Sequence, residues 1–234
     1  MKAVIIAAGI SSRLWQETNK TSKTLLPFGR GTILSNILSN LAIADINEFV
    51  FVLGFEANRI IDYLKNNKYF GFKSKIILNS EYKRGNGLSV LMAEQVVENH
   101  NFILSMSDHI VSSSAIKRVL KSDIDKNLLL VDKRIHRIFD IDDATKVNCN
   151  GNRIKNIGKS LTDYNGIDCG IFRLNSRFFN AMRTQDKLGR ESISAGIEVL
   201  IENDDMEAIF MEENEHWIDI DTPEAYQHAK DLYT

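Results

Sequence analysis

The sequence has little of what marks a secreted, membrane or nucleic-acid-binding protein. Its only two cysteines, Cys149 and Cys169, have no metal-like spacing, so we predict a reducing compartment and two buried thiols that pack as small apolar side chains. No run approaches the ~20 apolar residues that a membrane span needs, and the N-terminus does not resemble a signal peptide. Together these absences predict a cytoplasmic protein. The formal net charge of −2 argues against an extended nucleic-acid contact surface.

Breaks in the chain are also few. Only two of the 234 residues are proline, and we find no repeat, linker or low-complexity tract. With 44% hydrophobic and 26% charged residues, the composition is that of an ordinary globular chain that can bury a good core. We therefore predict one domain over residues 1–234.

Apolar periodicity predicts alternating strands and helices in the first half of the chain. After a strand at the N-terminus, strands are expected at 49–53, 75–78 and 102–106, and helices at 32–43, 56–66 and 87–98. Beyond residue 125, strands are expected near 127–133, 143–149, 153–157, 166–174 and 206–211, and helices near 175–184 and 191–203. Thr32 and Thr222 are the predicted N-caps of the first and last helices. This order predicts an α/β fold with a parallel, doubly wound sheet and a mixed second half.

The most informative segment follows the N-terminal strand. Two small residues and a glycine predict a tight turn whose backbone N–H groups can approach a ligand closely. An arginine and a spaced lysine then supply fixed positive charge, so we predict an anion site at the strand's carboxyl end. The predicted nucleotide-binding residues of this segment are Ala7, Ala8, Gly9, Ser11, Ser12, Arg13 and Lys23.

This segment resembles the signature of sugar and alditol nucleotidyltransferases, Ala-Ala-Gly-x-Gly-Ser/Thr-Arg-Leu/Met followed by Pro-Lys-x-Leu. Ser11 replaces the second glycine of that pattern, and Ser22 replaces the proline. The resemblance implies a Rossmann-like α/β fold of the GT-A type, with a mostly parallel, mixed central sheet flanked by helices. It also implies a nucleotide-binding half over about 1–124 and an acceptor-binding half over about 125–234.

Asp108 is a candidate metal ligand and catalytic residue, because it directly follows the predicted strand 102–106. A carboxylate at that position faces the ligand crevice of an open α/β sheet. The alternative is that Asp108 caps the next helix, but Ser113 and Ser114 are better placed to do so. In the family that the chain resembles, the corresponding aspartate binds Mg²⁺, so the resemblance implies Arg13, Lys23 and Asp108 as the catalytic set.

Asp219 and Asp221 form a further carboxylate pair, and both are candidate metal ligands. They alternate with apolar residues, which predicts that both lie on one face of a strand. No cation stands beside these aspartates or Asp108 in the sequence, and Mg²⁺ prefers carboxylates together with substrate phosphates. The alternative is that Asp221 caps the last helix while Asp219 is solvated. The family pattern Trp-x-Asp-x-Gly/Asp-Thr favours Asp219 as the ligand.

Gly85, Asn86 and Gly87 lie between a predicted strand and helix, where the backbone could pass close to a flat ring. The Asn86 amide offers donors and acceptors to the edge of a base. A plain turn with a helix N-cap would fit the same spacing. The position matches the nucleobase loop of the family, and Arg-Gly-Asn-Gly and Ser-Asp-His resemble its CTP:inositol-1-phosphate cytidylyltransferase subgroup.

Three residues of the second half are candidates for acceptor binding. Lys146 and Lys159 lie near predicted strand ends, although a solvated lysine is the alternative for both. The resemblance implies that a lysine near Lys159 holds the acceptor phosphate. Asp168 could accept hydrogen bonds from ring hydroxyls, or it could instead cap a bulge.

The function that we predict is Mg²⁺-dependent transfer of a nucleotidyl group, CMP from CTP, to a phosphorylated polyol such as inositol-1-phosphate, with release of pyrophosphate. The alternatives are a hexose-1-phosphate or phosphocholine-type nucleotidyltransferase and, in another class, a catalytically silent nucleotide-sensing module. Some inositol-type enzymes are fused to a membrane-embedded phosphotransferase, which this sequence does not carry, so we expect a separate downstream enzyme as a partner. A homodimer is compatible with the sequence.

Overall fold

A computed structural model describes residues 1–15, 19 and 22–233; most of the segment that links Trp15 to Ser22 therefore lies outside the described residues. The strands are β1 (Lys2–Ala7), β2 (Pro27–Phe28), β3 (Gly31–Thr32), β4 (Glu48–Leu53), β5 (Lys73–Leu78), β6 (Phe102–Met106), β7 (His109–Val111), β8 (Asn127–Asp132), β9 (Lys146–Asn150), β10 (Arg153–Gly158), β11 (Gly166–Leu174), β12 (Met206–Phe210) and β13 (Trp217–Asp219). The helices are α1 (Ile33–Ile43), α2 (Ala57–Asn66), α3 (Asn86–Leu91), α4 (Glu94–Val97), α5 (Ser113–Lys121), α6 (Ser176–Lys187), α7 (Ile193–Glu202) and α8 (Pro223–Tyr233). Short 3₁₀ turns lie at Ser12–Leu14, Lys23–Leu25, Lys68–Gly71 and Ile135–Arg137.

One nine-stranded sheet forms the centre of the molecule, in the order β5-β4-β1-β6-β11-β8-β12-β10-β9. The four strands from β5 to β6 are parallel, and β1 keeps a continuous register with β4 from Lys2–Glu48 to Ala7–Leu53. The long strand β11 then runs antiparallel to both β6 and β8. The sheet is therefore parallel in the first half of the chain and mixed in the second, as predicted.

Helices cover both faces of the sheet because successive residues of its buried strands point to opposite sides. Ala3 and Ile5 of β1 pack on the face that carries α1 and α5. Val4 and Ile6 pack on the other face, against α6 and α7. All four of these residues are buried, so the apolar N-terminal run forms the centre of two cores.

Most local predictions are confirmed, with two corrections at helix ends. Thr32 caps α1, since its hydroxyl accepts from the backbone N–H of Ser35. The helix expected at 87–98 is divided into α3 and α4, because the Ala93 N–H donates to the Val90 carbonyl and tightens the turn there. The N-cap of α5 is Ser112, without a side-chain hydrogen bond, and not Ser113 or Ser114.

Cys149 and Cys169 are buried free thiols, as expected. Within the described part of the chain, every helix falls short of the length and apolarity that a membrane span requires.

Candidate active site

The turn after β1 lies at the carboxyl edge of the parallel strands, next to the candidate site. Ala8 is buried and its carbonyl accepts from the Phe55 N–H, whereas Gly9 is exposed. Ser11 adopts the left-handed conformation with φ 58° and ψ 34°, so serine takes the backbone geometry that glycine reaches without strain. Among the described residues, the N–H groups of Gly9, Ile10 and Ser11 donate to no protein acceptor. They are therefore available to an anion at this edge of the sheet.

Asp108 and Asp219 meet because two short strands pair outside the main sheet. β7 and β13 are antiparallel, and their register places Asp219 opposite His109, the residue after Asp108. Ligand atoms of Asp108, His109 and Asp219 all lie within 4.8 Å of one another. The structure thus brings together Asp108 and Asp219, two of the candidate metal ligands. Asp221 differs from the prediction, because β13 ends at Asp219 and Asp221 lies beyond the strand.

Two cationic groups neutralise Asp108: Lys23, which the fold brings from a distant part of the chain, and His109, its neighbour in sequence. Lys23 Nζ lies 2.6 Å from Asp108 Oδ2, and His109 Nδ1 lies 2.8 Å from Asp108 Oδ1. Burial alone would raise the pKa of Asp108, but Lys23 and His109 hold it well below its usual range. Burial would likewise lower the pKa of His109, but Asp219 and Asp108 raise it to about 9. The site therefore combines ionised carboxylate with two cationic groups.

Asp219 carries the atom that best indicates a missing partner. Its Oδ1 is buried and accepts no hydrogen bond from the described residues, and His109 Nδ1 lies 3.8 Å away. Burial raises the pKa of this carboxyl group. A buried carboxylate oxygen without a donor is costly, and a divalent cation shared with Asp108 would satisfy it. The donor set therefore fits a hard metal ion.

Charged side chains from the first half of the chain also contact those of the second half near this pair. Arg13 Nη1 lies 2.8 Å from Asp143 Oδ2, and Lys159 Nζ lies 2.9 Å from Asp143 Oδ1. Asp221 pairs with both Arg13 and Lys23, so it binds the two cations and does not cap α8. The cap of α8 is supplied by Thr222, whose hydroxyl accepts from the Ala225 N–H.

A cavity of about 450 Å³ opens beside these groups. Asn86, Asp108, Lys159, Asp168 and Asp219 all line it, which brings candidates for base, metal and acceptor binding around one space. A cavity of that size is typical of a small-molecule site.

Two of the acceptor candidates are engaged locally. Asp168 accepts from the Gly170 N–H at 2.7 Å, and burial raises the pKa of its carboxyl group to about 6. Lys146 is buried, and its ammonium group donates to the Asp142 carbonyl at 2.9 Å. The Lys146 bond supports the neighbouring loop, and a role of this residue toward an acceptor stays a prediction.

The Gly85–Gly87 segment differs from the prediction in the use of its backbone. The Gly85 N–H donates to Glu191 Oε2, and the Gly87 N–H donates to the Glu191 carbonyl. These two N–H groups are thus occupied by the protein, and the side chain of Asn86 is the part of the segment that is left for a base.

The sequence alone indicates no role for His109, Asp143 or Glu191, although all three contact residues of the site. His109 was noted only as part of Ser-Asp-His, yet it lies between two carboxylates and stacks on Trp217 with ring centroids 5.6 Å apart. Trp217 in turn donates through Nε1 to Asp132 Oδ2. Asp143 lies three residues before the candidate Lys146, but nothing in the sequence indicates its contact with Arg13. Glu191 had no signal in the sequence.

Comparison with known proteins agrees with this geometry. A profile described as nucleotidyl transferase matches residues 2–135, the part of the chain that carries the glycine turn, Lys23 and Asp108. The chain belongs to the nucleotidyl transferase family.

Relatives in this family match nearly the whole chain. A bifunctional IPC transferase and DIPP synthase from Archaeoglobus fulgidus is 31% identical over 230 residues, which is 98% of this chain and 43% of that protein. A protein of the same name from Aquifex aeolicus is 31% identical over 234 residues, covering 97% of this chain and 50% of its own length. The chain thus spans about half the length of the curated relatives it matches.

A solved structure described as the inositol-1-phosphate CTP transferase from T. maritima superposes on this chain with a TM-score of 0.86. The two sequences are 26% identical, and the match covers 96% of this chain and 90% of that one. This similarity confirms the predicted Rossmann-like α/β architecture of the GT-A type.

Proposed function

We propose that this chain transfers CMP from CTP to a phosphorylated polyol such as inositol-1-phosphate and releases pyrophosphate. The observation that carries the proposal is the meeting of Asp108 and Asp219 with Lys23 at the carboxyl edge of the parallel strands, beside the cavity that Lys159 and Asp168 line. The names of the relatives and of the T. maritima structure support the choice of CTP and inositol-1-phosphate.

The charges of the reactants decide what the residues must do. An acceptor phosphomonoester is already ionised near neutral pH, so its oxygen can attack the α-phosphorus without a strong general base. The bond from the α-phosphorus to the bridging oxygen breaks, and pyrophosphate leaves with that oxygen. The main barrier is the approach of two anions, which fixed cations lower by neutralising charge.

Arg13 and Lys23 would bind the triphosphate of the nucleotide, together with the backbone from Ala7 to Ser12. Lys159 would bind the acceptor phosphate, and Asp168 would accept hydrogen bonds from ring hydroxyls. Since Arg13 and Lys159 share Asp143, the two phosphate-binding cations are held on the same carboxylate. This arrangement keeps them near each other across the cavity.

Asp108 and Asp219 would hold the divalent cation that members of the family typically use, and we propose Mg²⁺ because oxygen ligands suit it. When bound, the ion would neutralise negative charge that develops on the phosphates. Asp221 was an alternative ligand in the sequence, but its pairs with Arg13 and Lys23 favour a role in orienting those cations.

A substrate panel tests the proposal. Pyrophosphate release is measured for CTP, UTP, dTTP and ATP, each with inositol-1-phosphate, glucose-1-phosphate and phosphocholine. We expect CTP with inositol-1-phosphate to give the highest kcat/KM. A clear preference for UTP or dTTP with a hexose-1-phosphate would contradict the proposed base and the proposed acceptor. If no pair of substrates is turned over, the chain is a nucleotide-sensing module.

A variant tests the acceptor assignment within the same assay. Lys159→Ala should raise the KM of the acceptor more than that of the nucleotide, because it removes the cation nearest to the acceptor phosphate. Lys155→Ala is the matched control, since Lys155 is an exposed lysine on the neighbouring strand β10. Equal effects of the two substitutions would contradict the assignment.

A further inference from the structure

Glu191 makes a set of contacts that the function proposed above does not use. It precedes α7 in the second half of the chain, yet it bonds the Gly85–Gly87 segment of the first half. Its Oε2 accepts from the Gly85 N–H at 3.0 Å, and its backbone carbonyl accepts from the Gly87 N–H at 2.8 Å. Its Oε1 accepts from Arg84 Nε at 2.9 Å. One residue therefore fixes the backbone on both sides of Asn86.

The close approach of Glu191 explains why residues 85 and 87 are both glycine. A Cβ on Gly85 would lie 2.3 Å from the Glu191 carbonyl oxygen, and a Cβ on Gly87 would lie 2.7 Å from the same atom. Any side chain at either position would push the segment away from Glu191. Glycine is thus required for close approach of two backbones, and not only for the turn itself.

A hydrogen bond from the start of α7 fixes the orientation of the Asn86 amide. The backbone N–H of Ile193, two residues after Glu191, lies 2.9 Å from Asn86 Oδ1. A backbone N–H can only donate, so the atom that faces it must be the amide oxygen. Asn86 also lines the cavity, and within the described residues its Nδ2 group has no protein partner. The amide therefore offers a donor, with its oxygen already engaged.

We propose that Glu191 is a positioning residue that holds the Gly85–Gly87 segment so that Asn86 presents its Nδ2 donor to the base, which favours a cytosine ring over a uracil ring. The inference rests on the proposed nucleotidyl transfer and explains its choice of base. Cytosine has acceptors at both N3 and O2, whereas uracil carries a hydrogen at N3. Both rings carry carbonyl acceptors, so the discrimination lies at N3, where a donor fixed opposite this atom bonds the cytosine acceptor and opposes the N3–H of uracil.

Asn86→Asp is the direct test, because it replaces the Nδ2 donor by an acceptor of the same shape and keeps every contact of Glu191. We expect the ratio of kcat/KM for CTP to that for UTP to fall by about tenfold or more, because a donor that meets the base is exchanged for an acceptor. Calorimetric affinities for CTP and UTP should show the same change without turnover. An unchanged ratio in a folded Asn86→Asp protein would overturn the proposal.

Glu191→Ala tests the positioning role. We expect it to raise the KM for CTP by about tenfold, the effect of losing hydrogen bonds to a charged group, and to lower the CTP-to-UTP ratio. The KM of the acceptor should stay the same. Glu81→Gln is the matched control, because Glu81 also pairs with Arg84, at 2.9 Å, but is mostly exposed and does not contact the glycine backbone.

The outcomes separate this inference from the proposed function. If the wild-type protein prefers CTP and Glu191→Ala lowers kcat/KM by the same factor for CTP and for UTP, Glu191 is a merely structural residue. That result would overturn the inference alone. A wild-type protein that uses neither nucleotide would overturn the proposed function and the inference with it. If Glu191→Ala fails to fold, the Asn86→Asp ratio decides by itself.

Discussion

At Asp108, two positive groups meet one carboxylate, and a second carboxyl group lies close by. Lys23 and His109 each contact one of its oxygens, and Asp219 completes the cluster. A neutral side chain of the same shape would leave both cations without their nearest negative charge. It would also remove one of the two carboxylates that fit a divalent metal.

Asp108→Asn should therefore lower kcat by about 10²–10⁴, as expected for the loss of a principal electrostatic group, while the protein remains folded. Steady-state pyrophosphate release measures the change, and circular dichroism verifies the fold. Asp62→Asn is the control, since Asp62 is an exposed carboxylate on α2. Near-normal turnover of a folded Asp108→Asn protein would contradict the central role of Asp108.

The chemical groups of the site were largely predictable at this scale, but their partners were not. Asp108 and Asp219 could be selected because residue type and position at a strand end are local properties of a sequence. The contact of Lys23 with Asp108 depends on the path of a loop across the sheet edge, which no periodicity encodes. Thus the sequence places His109 beside Asp108, whereas only the fold shows that Lys23 pairs with the same carboxylate.

At the scale of elements, the small sheet of β7 and β13 sets the position of His109, and β11 packs against the histidine ring. Gly170 of β11 has φ +75°, and a Cβ there would lie 2.6 Å from His109 Cδ2. The ring stacks on Trp217 on β13. The absence of a side chain at Gly170 therefore makes room for the histidine between two strands.

Gly170→Ala should reduce the free energy of unfolding by about 2–5 kcal/mol, because ~1–2 kcal/mol of left-handed strain adds to ~1–3 kcal/mol of overpacking. It should also lower kcat, since the His109 ring must move. Gly151→Ala is the matched control: Gly151 has φ +59° but nothing within 4 Å of a new Cβ, so it reports strain alone. Urea denaturation compares the two variants, and equal losses of stability would exclude the steric contact with His109.

The alternation of elements was predictable because buried strands and amphipathic helices have distinct periods. The division between α3 and α4 was not, since residues 87–98 keep an apolar pattern while one tightened turn at Ala93 interrupts the hydrogen bonds. The pairing of β11 with β6, β8 and β9 was also beyond the sequence. Strand order depends on contacts between distant segments, which a single sequence does not display.

At the scale of the whole molecule, the two halves of the chain share the central sheet and meet again at the site. β6 of the first half pairs with β11 of the second, and Asp143 joins Arg13 to Lys159 above them. Glu191 makes a further connection to the Gly85–Gly87 segment. The candidate site therefore contains charges from both halves of the chain.

We expect Asp143 to compete with the substrate phosphates for the cations that it pairs with in both halves. Burial alone would raise the pKa of Asp143, but Lys159 and Arg13 lower it, so the carboxylate is ionised at neutral pH. Asp143→Asn removes that charge at nearly constant shape. We expect the KM values of nucleotide and acceptor to fall together, by about two- to fivefold, because each partly exposed pair is worth no more than ~1 kcal/mol.

Asp163→Asn serves as the control, since Asp163 is an exposed carboxylate of the second half that accepts from Asn148 and contacts neither cation. Initial-rate measurements at varied CTP and varied acceptor give both KM values for each variant. If both KM values rise in Asp143→Asn, the carboxylate orients Arg13 and Lys159 for phosphate more than it competes with it. If only the nucleotide KM changes, Lys159 does not bind the acceptor, and the two cations act separately even though they share Asp143.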